Sequence, residues 1–300
     1  MMVQTNNLCK NFGRFGALRG LTLNVPEGSA FALLGANGAG KTTTIKVLMN
    51  LLQPTAGSAV VLGVDSRRIS PRELAQIGYV SENQQMPEGM TVAAYIRYLR
   101  PFYATWDCAL ESQMLRNLRL PVDRRIREMS HGMRMKMALA CALPFRPRLL
   151  VLDEPLSGLD PLVRDEFMEG LKLQIGETTV LISSHELAEI EDITTHVAYI
   201  DQGEVLFQET KCGLTGRLRE VRVTLDAEAH LPPQLPKHWL DVRASGNTLT
   251  FVDTQFSEAD LASRVASVLG GVRTIAVQPV ALRSIYTTLA RAIRDRSLTL

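Results

Sequence analysis

Cysteine is scarce and scattered in this chain. Cys9, Cys108, Cys141 and Cys212 form no C-x-x-C pair, which argues against a zinc site or a disulfide framework and for ordinary reduced thiols in a cytosolic protein. Neither sign of charge dominates: a formal net charge of +2 supplies no field for a nucleic-acid partner. Long apolar runs are missing. None approaches the ~20 residues that span a bilayer, and the N-terminus lacks the basic-then-apolar pattern of a signal peptide. A role at a membrane therefore requires a partner that spans it. Internal repeats, low-complexity tracts and sustained heptads are also lacking, which excludes repeat arrays and coiled coils. What remains is a chain of 300 residues, 46% of them apolar, enough for one large domain or two smaller ones with a full core.

The most informative stretch is Gly35-Ala36-Asn37-Gly38-Ala39-Gly40-Lys41-Thr42-Thr43. It fits G-x-x-x-x-G-K-[ST], the phosphate-binding P-loop. Phe31 to Leu34 before it reads as a buried strand, and Thr43 to Leu52 after it as a helix with Ile45, Leu48 and Leu52 on one face. Gly35, Gly38 and Gly40 allow the tight turn that aims backbone N–H groups at phosphate oxygens, with Asn37 inside the loop. The helix N-terminus adds favourable partial charge. Lys41 reaches the β- and γ-phosphates, and the Thr42 hydroxyl suits one Mg²⁺ position.

Along the chain, Val3 to Leu8 and Leu18 to Val25 read as strands joined by a loop holding Phe12 and Phe15. An exposed aromatic there could stack on a base, Phe12 more than Phe15; the alternative is that both pack on the sheet. Ala59 to Gly63 reads as a strand, Pro71 to Gln76 as a short helix capped by Ser70, and Ile77 to Val80 as a strand ending at Ser81-Glu82-Asn83. A mainly helical insert covers about 84–145, with helical spacing over Thr91 to Phe102, Asp107 to Asn117 and Gly132 to Leu143. Met129, Met133, Met135 and Met137 divide between helix faces there and read as packing residues.

Leu149 to Leu152 run straight into Asp153-Glu154. A buried strand ending in acids places them at the carboxyl edge of a sheet, where ligands bind in open α/β folds. Pro161 to Leu173 reads as a helix, Thr179 to Ser183 as a buried strand followed by Ser184-His185, and Glu186 to Asp192 as a short acidic helix. Asp201-Gln202-Gly203 reads as a hairpin turn between Val197–Ile200 and Glu204–Phe207. The nucleotide-type pattern stops near Thr210. The remainder, 211–300, is expected to form a small α+β domain with strands at Val221–Leu225, Thr248–Val252 and Val272–Val277, helices at Ser257–Leu269 and Leu282–Ile293, and an irregular connector at Leu231–Pro236.

Taken together, the P-loop, Met129-Ser130-His131-Gly132-Met133, Leu149 to Glu154, Ser157-Gly158-Leu159-Asp160 and Ser183-Ser184-His185 stand in one order. That order resembles the ATP-binding subunit of ABC transporters over residues 2–210. The resemblance implies an α/β P-loop NTPase fold, with an antiparallel β subdomain and a helical insert, occupying 1–210. It implies ATP and Mg²⁺ as cofactors. Lys41, Thr42, Thr43 and the loop amides would hold phosphate, and Phe12 matches the adenine-stacking position. Thr42, Asp153 and Glu82 would hold Mg²⁺. Glu154 would act as general base, and His185 would contact the γ-phosphate. Ser130 and Gly132 would contact the γ-phosphate bound by a second ATPase subunit, in a homodimer or heterodimer, with Asp160 at the seam.

Two departures from the family pattern stand out. Glu82 replaces the usual glutamine of the switch loop, adding negative charge near the phosphates. The signature Leu-Ser-Gly-Gly-Gln becomes Met-Ser-His-Gly-Met, retaining Ser130 and Gly132 but replacing a glycine with His131 and losing an amide at Met133. Glu82, the signature and Tyr103-Ala104-Thr105-Trp106-Asp107 are closest to ABC-2-type exporters, although Trp106 also suits simple core packing. The implied function is the ATPase motor of an exporter of a drug, peptide or envelope component. It would be cytoplasmic and peripheral on the inner face of the plasma membrane, through a separate transmembrane permease contacted near Glu82 and the insert. The alternative is a soluble ABC ATPase of translation or DNA maintenance, against which a single motif set and the lack of heptads count. A GTPase or kinase-type switch lacks an Asn-Lys-x-Asp motif, and a catalytically dead binding module is at odds with intact Lys41, Asp153, Glu154 and His185.

Overall fold

The computed structural model describes residues 1–173, 175–231 and 235–294, and the chain divides into two compact units, Met1–Gln208 and Glu209–Leu300. The first unit begins with β1 (Val3–Phe12), β2 (Phe15–Val25), β3 (Ala30–Leu34), α1 (Lys41–Leu48), β4 (Ala56–Val61) and β5 (Val64–Asp65). It continues through α2 (Pro71–Leu74), β6 (Ile77–Ser81), α3 (Val92–Leu99), α4 (Cys108–Asn117), α5 (His131–Ala142) and β7 (Leu149–Asp153). Then come α6 (Pro161–Lys172), β8 (Thr179–Ser184), β9 (His196–Asp201) and β10 (Glu204–Thr210), the last carrying the chain out of the unit.

Two sheets organise this unit. A four-stranded sheet has the order β2-β1-β4-β5 with antiparallel pairs, and a six-stranded sheet has the order β10-β9-β3-β8-β7-β6. In the larger sheet β9, β3, β8, β7 and β6 run parallel. All residues of β3, β7 and β8 are buried, as expected of parallel strands covered on both faces. The register then fixes the function-bearing edge. Leu34 pairs with Ser184, Ser183 with Asp153, and Asp153 with Ser81. The residues that follow these strand ends, Gly35, His185, Glu154 and Glu82, therefore emerge side by side at one carboxyl edge.

Local sequence explains most boundaries. Ser70 and Glu73 form a reciprocal capping box on α2, with Pro71 at the first helical position. Thr91, Asp107, Ser130 and Asp160 each cap a helix with a side-chain oxygen. Helix α1 stops at Leu48 rather than running to Leu52, because Asn50 is left-handed (φ 56). The Leu51 N–H then closes on Lys46 O and the Asn50 N–H on Val47 O, a Schellman ending. Trp106 is held by structure: its Nε1–H donates to Glu111 Oε2 at 2.8 Å, and the same buried carboxylate takes both arms of Arg100. Met129, Met135 and Met137 are buried packing residues.

Three expectations are corrected here. Phe12 and Phe15 do not lie in a loop: β1 and β2 extend until these residues pair across the hairpin end. The strand expected over Ala59–Gly63 starts at Ala56 and ends at Val61, since Leu62 (φ 53) and Gly63 (φ 81) form the turn into β5. The acidic helix expected over Glu186–Asp192 reduces to a 3₁₀ turn at Leu187–Glu189, because the Ser184 hydroxyl captures the Glu186 N–H at 2.9 Å.

The second unit contains α7 (Lys211–Arg217), β11 (Arg219–Leu225), β12 (Trp239–Ser245), β13 (Thr248–Asp253), α8 (Glu258–Val268), β14 (Val272–Pro279) and α9 (Leu282–Arg294). Its antiparallel sheet has the order β12-β13-β11-β14. Val221, Val223, Leu249 and Phe251 from the sheet pack with Leu261 and Val265 of α8, and Trp239 stacks on Phe251 with ring centroids 3.9 Å apart. Of the connector expected at Leu231–Pro236, residues 232–234 lie outside the described residues.

Candidate functional site

The loop between β3 and α1 turns on Gly38 (φ 81) and Gly40 (φ 113), both in conformations that side chains resist. A Cβ on Gly40 would meet Leu18 Cδ2 at 2.9 Å. The turn opens a cavity of about 430 Å³. Asn37, Gly38, Gly40, Lys41, Thr42 and Thr43 line it from the loop, Phe12 and Phe15 from the hairpin end, and Glu82, Glu154, Ser157 and His185 from the carboxyl edges of β6, β7 and β8. Both rings stay open to solvent, Phe12 48% and Phe15 62% exposed. They do not pack away on the sheet, and Lys10 Nζ lies 5.2 Å from the Phe12 ring centre.

Lys41 is nearly buried, 5% exposed, and its ammonium is fully occupied. Nζ donates to Gly35 O at 2.6 Å and Ala36 O at 3.1 Å, and lies 3.0 Å from Glu154 Oε1. The other oxygen of Glu154 meets His185 Nδ1 at 2.9 Å. Glu154 itself adopts a left-handed backbone, φ 49, which L-residues other than Asn, Asp and Gly enter at a cost. That turn points its carboxylate into the cavity instead of along the strand.

Asp153 lies one layer below. It is 3% exposed, and its Oδ1 accepts from Thr42 Oγ1 at 3.0 Å and Ser183 Oγ at 2.8 Å. Burial pushes its carboxyl above the usual range, opposed by those two hydrogen bonds, with Glu154 adding a further upward push. The Ser183 hydroxyl also accepts the Glu154 N–H at 2.9 Å, so one buried hydroxyl orients both acids. The Glu82 N–H donates to Asp153 O at 3.1 Å, which ties Glu82 to the same strand end.

Adjacent acids thus have different surroundings, one buried against hydroxyls and one facing the cavity between two basic groups. The Thr42 hydroxyl and the Asp153 carboxylate are hard oxygen donors in contact. They fit Mg²⁺, which keeps several waters and takes one or two carboxylates together with substrate phosphates. Among the described residues no set of three or more His, Cys, Asp or Glu side chains is arranged as an all-protein metal cage.

A scan against protein families matches residues 18–157 to the ABC transporter family. The lantibiotic transport ATP-binding protein SrtF of Streptococcus pyogenes is 31% identical over 211 residues, which cover 69% of this chain and 90% of that protein. The chain belongs to the ATP-binding proteins of the ABC transporter family. The probable multidrug ABC transporter ATP-binding protein YbhF of Escherichia coli is 34% identical over 196 residues, or 63% of this chain; the match spans only 34% of that protein, about a third of its length. A solved structure of an ATP-binding subunit of an ABC transporter superposes with a TM-score of 0.65 at 27% identity, covering 72% of this chain and 92% of that one.

In this ABC transporter ATP-binding protein, ten of the sequence-derived site residues meet at the cavity, with Gly35 and Asp153 directly beneath. Ser130, Gly132 and Asp160 do not line it. Ser130 caps α5 and Asp160 caps α6. Gly132 allows the close approach of these helices: a Cβ there would sit 2.7 Å from Val163 Cγ1. The sequence left Ser157 and Ala17 out of the cavity lining and gave the Ser183 hydroxyl no task. Ser157 and Ser183 lay within motifs, but nothing in a linear pattern tells a lining serine from a neighbouring one.

Proposed function

We propose that this chain is the ATP-binding and ATP-hydrolysing subunit that powers a membrane transporter of exporter type, moving a drug, peptide or envelope component. It works with a separate transmembrane permease and a second ATPase subunit, at the cytoplasmic face of the membrane. The observation that carries the reading is Glu154, held between Lys41 and His185 over the phosphate loop. The export assignment draws support from relatives named for lantibiotic and multidrug transport. No helix among the described residues is long and apolar enough to cross a membrane, so the reading assigns the cargo path to the permease.

The residues divide the work. Phe12 stacks on adenine, with Phe15 beside it at the hairpin end. Lys41 exchanges the Gly35 and Ala36 carbonyls for phosphate oxygens, while the loop amides cradle the same groups. Thr42 and Asp153 would hold Mg²⁺, with Glu82 at the cavity wall. A metal held there would supply positive charge to offset that of the phosphates. Glu154 takes the proton of the attacking water, and His185, bonded to its Oε2, orients it and faces the γ-phosphate. Ser130, Gly132 and Asp160, which stay outside the chain's own cavity, face the nucleotide of the second subunit.

The test is Glu154→Gln. Mg-ATP binding should persist while turnover falls by ~10²–10⁴-fold, the usual worth of a general base. Its mass in solution should change from monomer to dimer on adding Mg-ATP, and Ser130→Arg should abolish the change. Capture from membranes should recover a multi-span protein. Recovery of ribosomes or DNA alone would overturn the transport reading.

A further inference from the structure

The turn that carries His185 is fastened at a second point. Glu189, four residues further on, lies 2.8 Å from Arg164 Nη1, with the carboxylate side chain 8% exposed and the guanidinium 32%. Burial holds the Glu189 carboxyl above the usual range, and the Arg164 charge opposes that rise. Arg164 belongs to the first turn of α6, where its N–H donates to Asp160 O at 3.0 Å. The helix it sits on therefore closes the loop that starts at Glu154. The two segments meet twice: once through His185 and Glu154 at 2.9 Å, and once through Glu189 and Arg164 at 2.8 Å.

Buried Leu187 and Ile190 and the Ser184–Glu186 hydrogen bonds anchor the backbone of the turn, but the Glu189–Arg164 pair is the ion pair that ties it to α6. His185 is 41% exposed on its side chain, and the segment after it contains only the 3₁₀ turn Leu187–Glu189. So short a turn does not by itself fix an imidazole against a carboxylate. Removing the guanidinium leaves a mostly buried carboxylate without its cation, a cost the turn relieves by opening toward water.

We propose that Arg164 and Glu189 form a positioning pair that holds the turn presenting His185 and so sets the His185–Glu154 contact. The kinetic consequence rests on the proposed ATPase role; the structural consequence does not. The experiment labels the histidines of the full chain and follows their ring ¹⁵N and ¹³C resonances by NMR, with His185 assigned by its loss in His185→Gln. Arg164→Gln and the isosteric Glu189→Gln should each shift the His185 signals. Both should leave His196 in place, since its ring lies flat over Phe31 with centroids 6.3 Å apart. Arg164→Lys, which keeps a cation, should stay near the wild-type positions. In the same proteins kcat for ATP should fall by about tenfold to a hundredfold at near-constant KM, the scale of a displaced catalytic group. His185 signals at wild-type positions in both glutamine variants would overturn the pair. If the wild-type chain hydrolyses no ATP, the functional reading fails, and the ring resonances alone still decide the pair.

Discussion

The hydroxyl of Ser183 offers the sharpest test of how the site is built. Ser183 is wholly buried. It donates to Asp153 Oδ1 at 2.8 Å and accepts the Glu154 N–H at 2.9 Å. Ser183→Ala removes a bond to a carboxylate, worth about 1.5–3 kcal/mol, and strands a part-buried N–H, at about 1–3 kcal/mol. It also frees Glu154 from the contact that holds its left-handed backbone (φ 49), so relaxation of that residue returns part of the loss. A net cost of about 3 kcal/mol to the first unit is expected. The molecule provides its own reporters, because its two tryptophans, Trp106 and Trp239, fall one in each unit. In a Trp239→Phe background, Trp106 fluorescence follows urea unfolding of the first unit. With a urea dependence of about 2–3 kcal/mol/M, the midpoint should drop by about 1 M at unchanged slope. A double-mutant cycle with Asp153→Ala, which deletes the accepting carboxylate, should show coupling of at least about 1 kcal/mol. A total loss below about 1 kcal/mol, or strict additivity in the cycle, would refute the view that one hydroxyl orients both acids.

Other outcomes follow from the same geometry. Burial raises the Asp153 carboxyl above its ordinary value of 3.8, so the fold prefers its protonated form; the stability this group contributes is full below that value and lost as pH rises through the raised one. Asp153→Asn, which can still accept from Thr42 and Ser183, should therefore unfold at a higher temperature than wild type at pH 7. The gain should shrink as pH approaches 4, and Mg²⁺-dependent turnover should be lost. Gly203→Ala forces φ 83 on alanine and puts its Cβ 2.6 Å from Ala17 O; the same urea assay should show a cost of about 3 kcal/mol from strain and overlap together. Phe12→Ala, at a residue 48% exposed, should leave stability nearly unchanged. It should weaken ATP binding in calorimetry by about 1–3 kcal/mol, the usual worth of a base on an aromatic ring.

Much of the nucleotide unit was legible because its signals are local and agree with one another. Buried runs such as Leu149–Leu152 end at acids, cap residues such as Ser70 and Asp160 stand where helices start, and glycines sit where the backbone needs them. The misreadings share one cause, a long-range or conformational choice that overrides local pattern. Asn50 stops α1 through a left-handed turn that a helical run of apolar residues does not announce. Strand β12 escaped because Asp241, left-handed at φ 52 and bonded to Arg243, breaks the alternation of an edge strand. Helix α7 escaped because its two glycines, Gly213 and Gly216, argue against helix, and Thr210 caps it nonetheless. At the site, the residue types were readable but their division of labour was not. That depends on register, which sets Ser183 beside Asp153, and register is a property of the sheet.

The ion pair between Lys41 and Glu154 has a consequence for selectivity. A carboxylate 3.0 Å from the ammonium is a tethered anion, present at a far higher effective concentration than any solute. It competes with every free anion that approaches the loop. A single phosphate or sulfate offers one charge centre against this internal rival and should bind poorly. A nucleoside triphosphate would engage the loop amides and the Thr42 hydroxyl through its phosphates and the ring of Phe12 through its base, and these many contacts should outweigh the one it displaces. Removing the rival should relax that filter, so Glu154→Gln should bind inorganic phosphate, diphosphates and ATP more tightly than wild type, with the largest relative gain for the smallest anion. Part of the tight binding expected of such a variant would then come from lost competition, separately from lost chemistry.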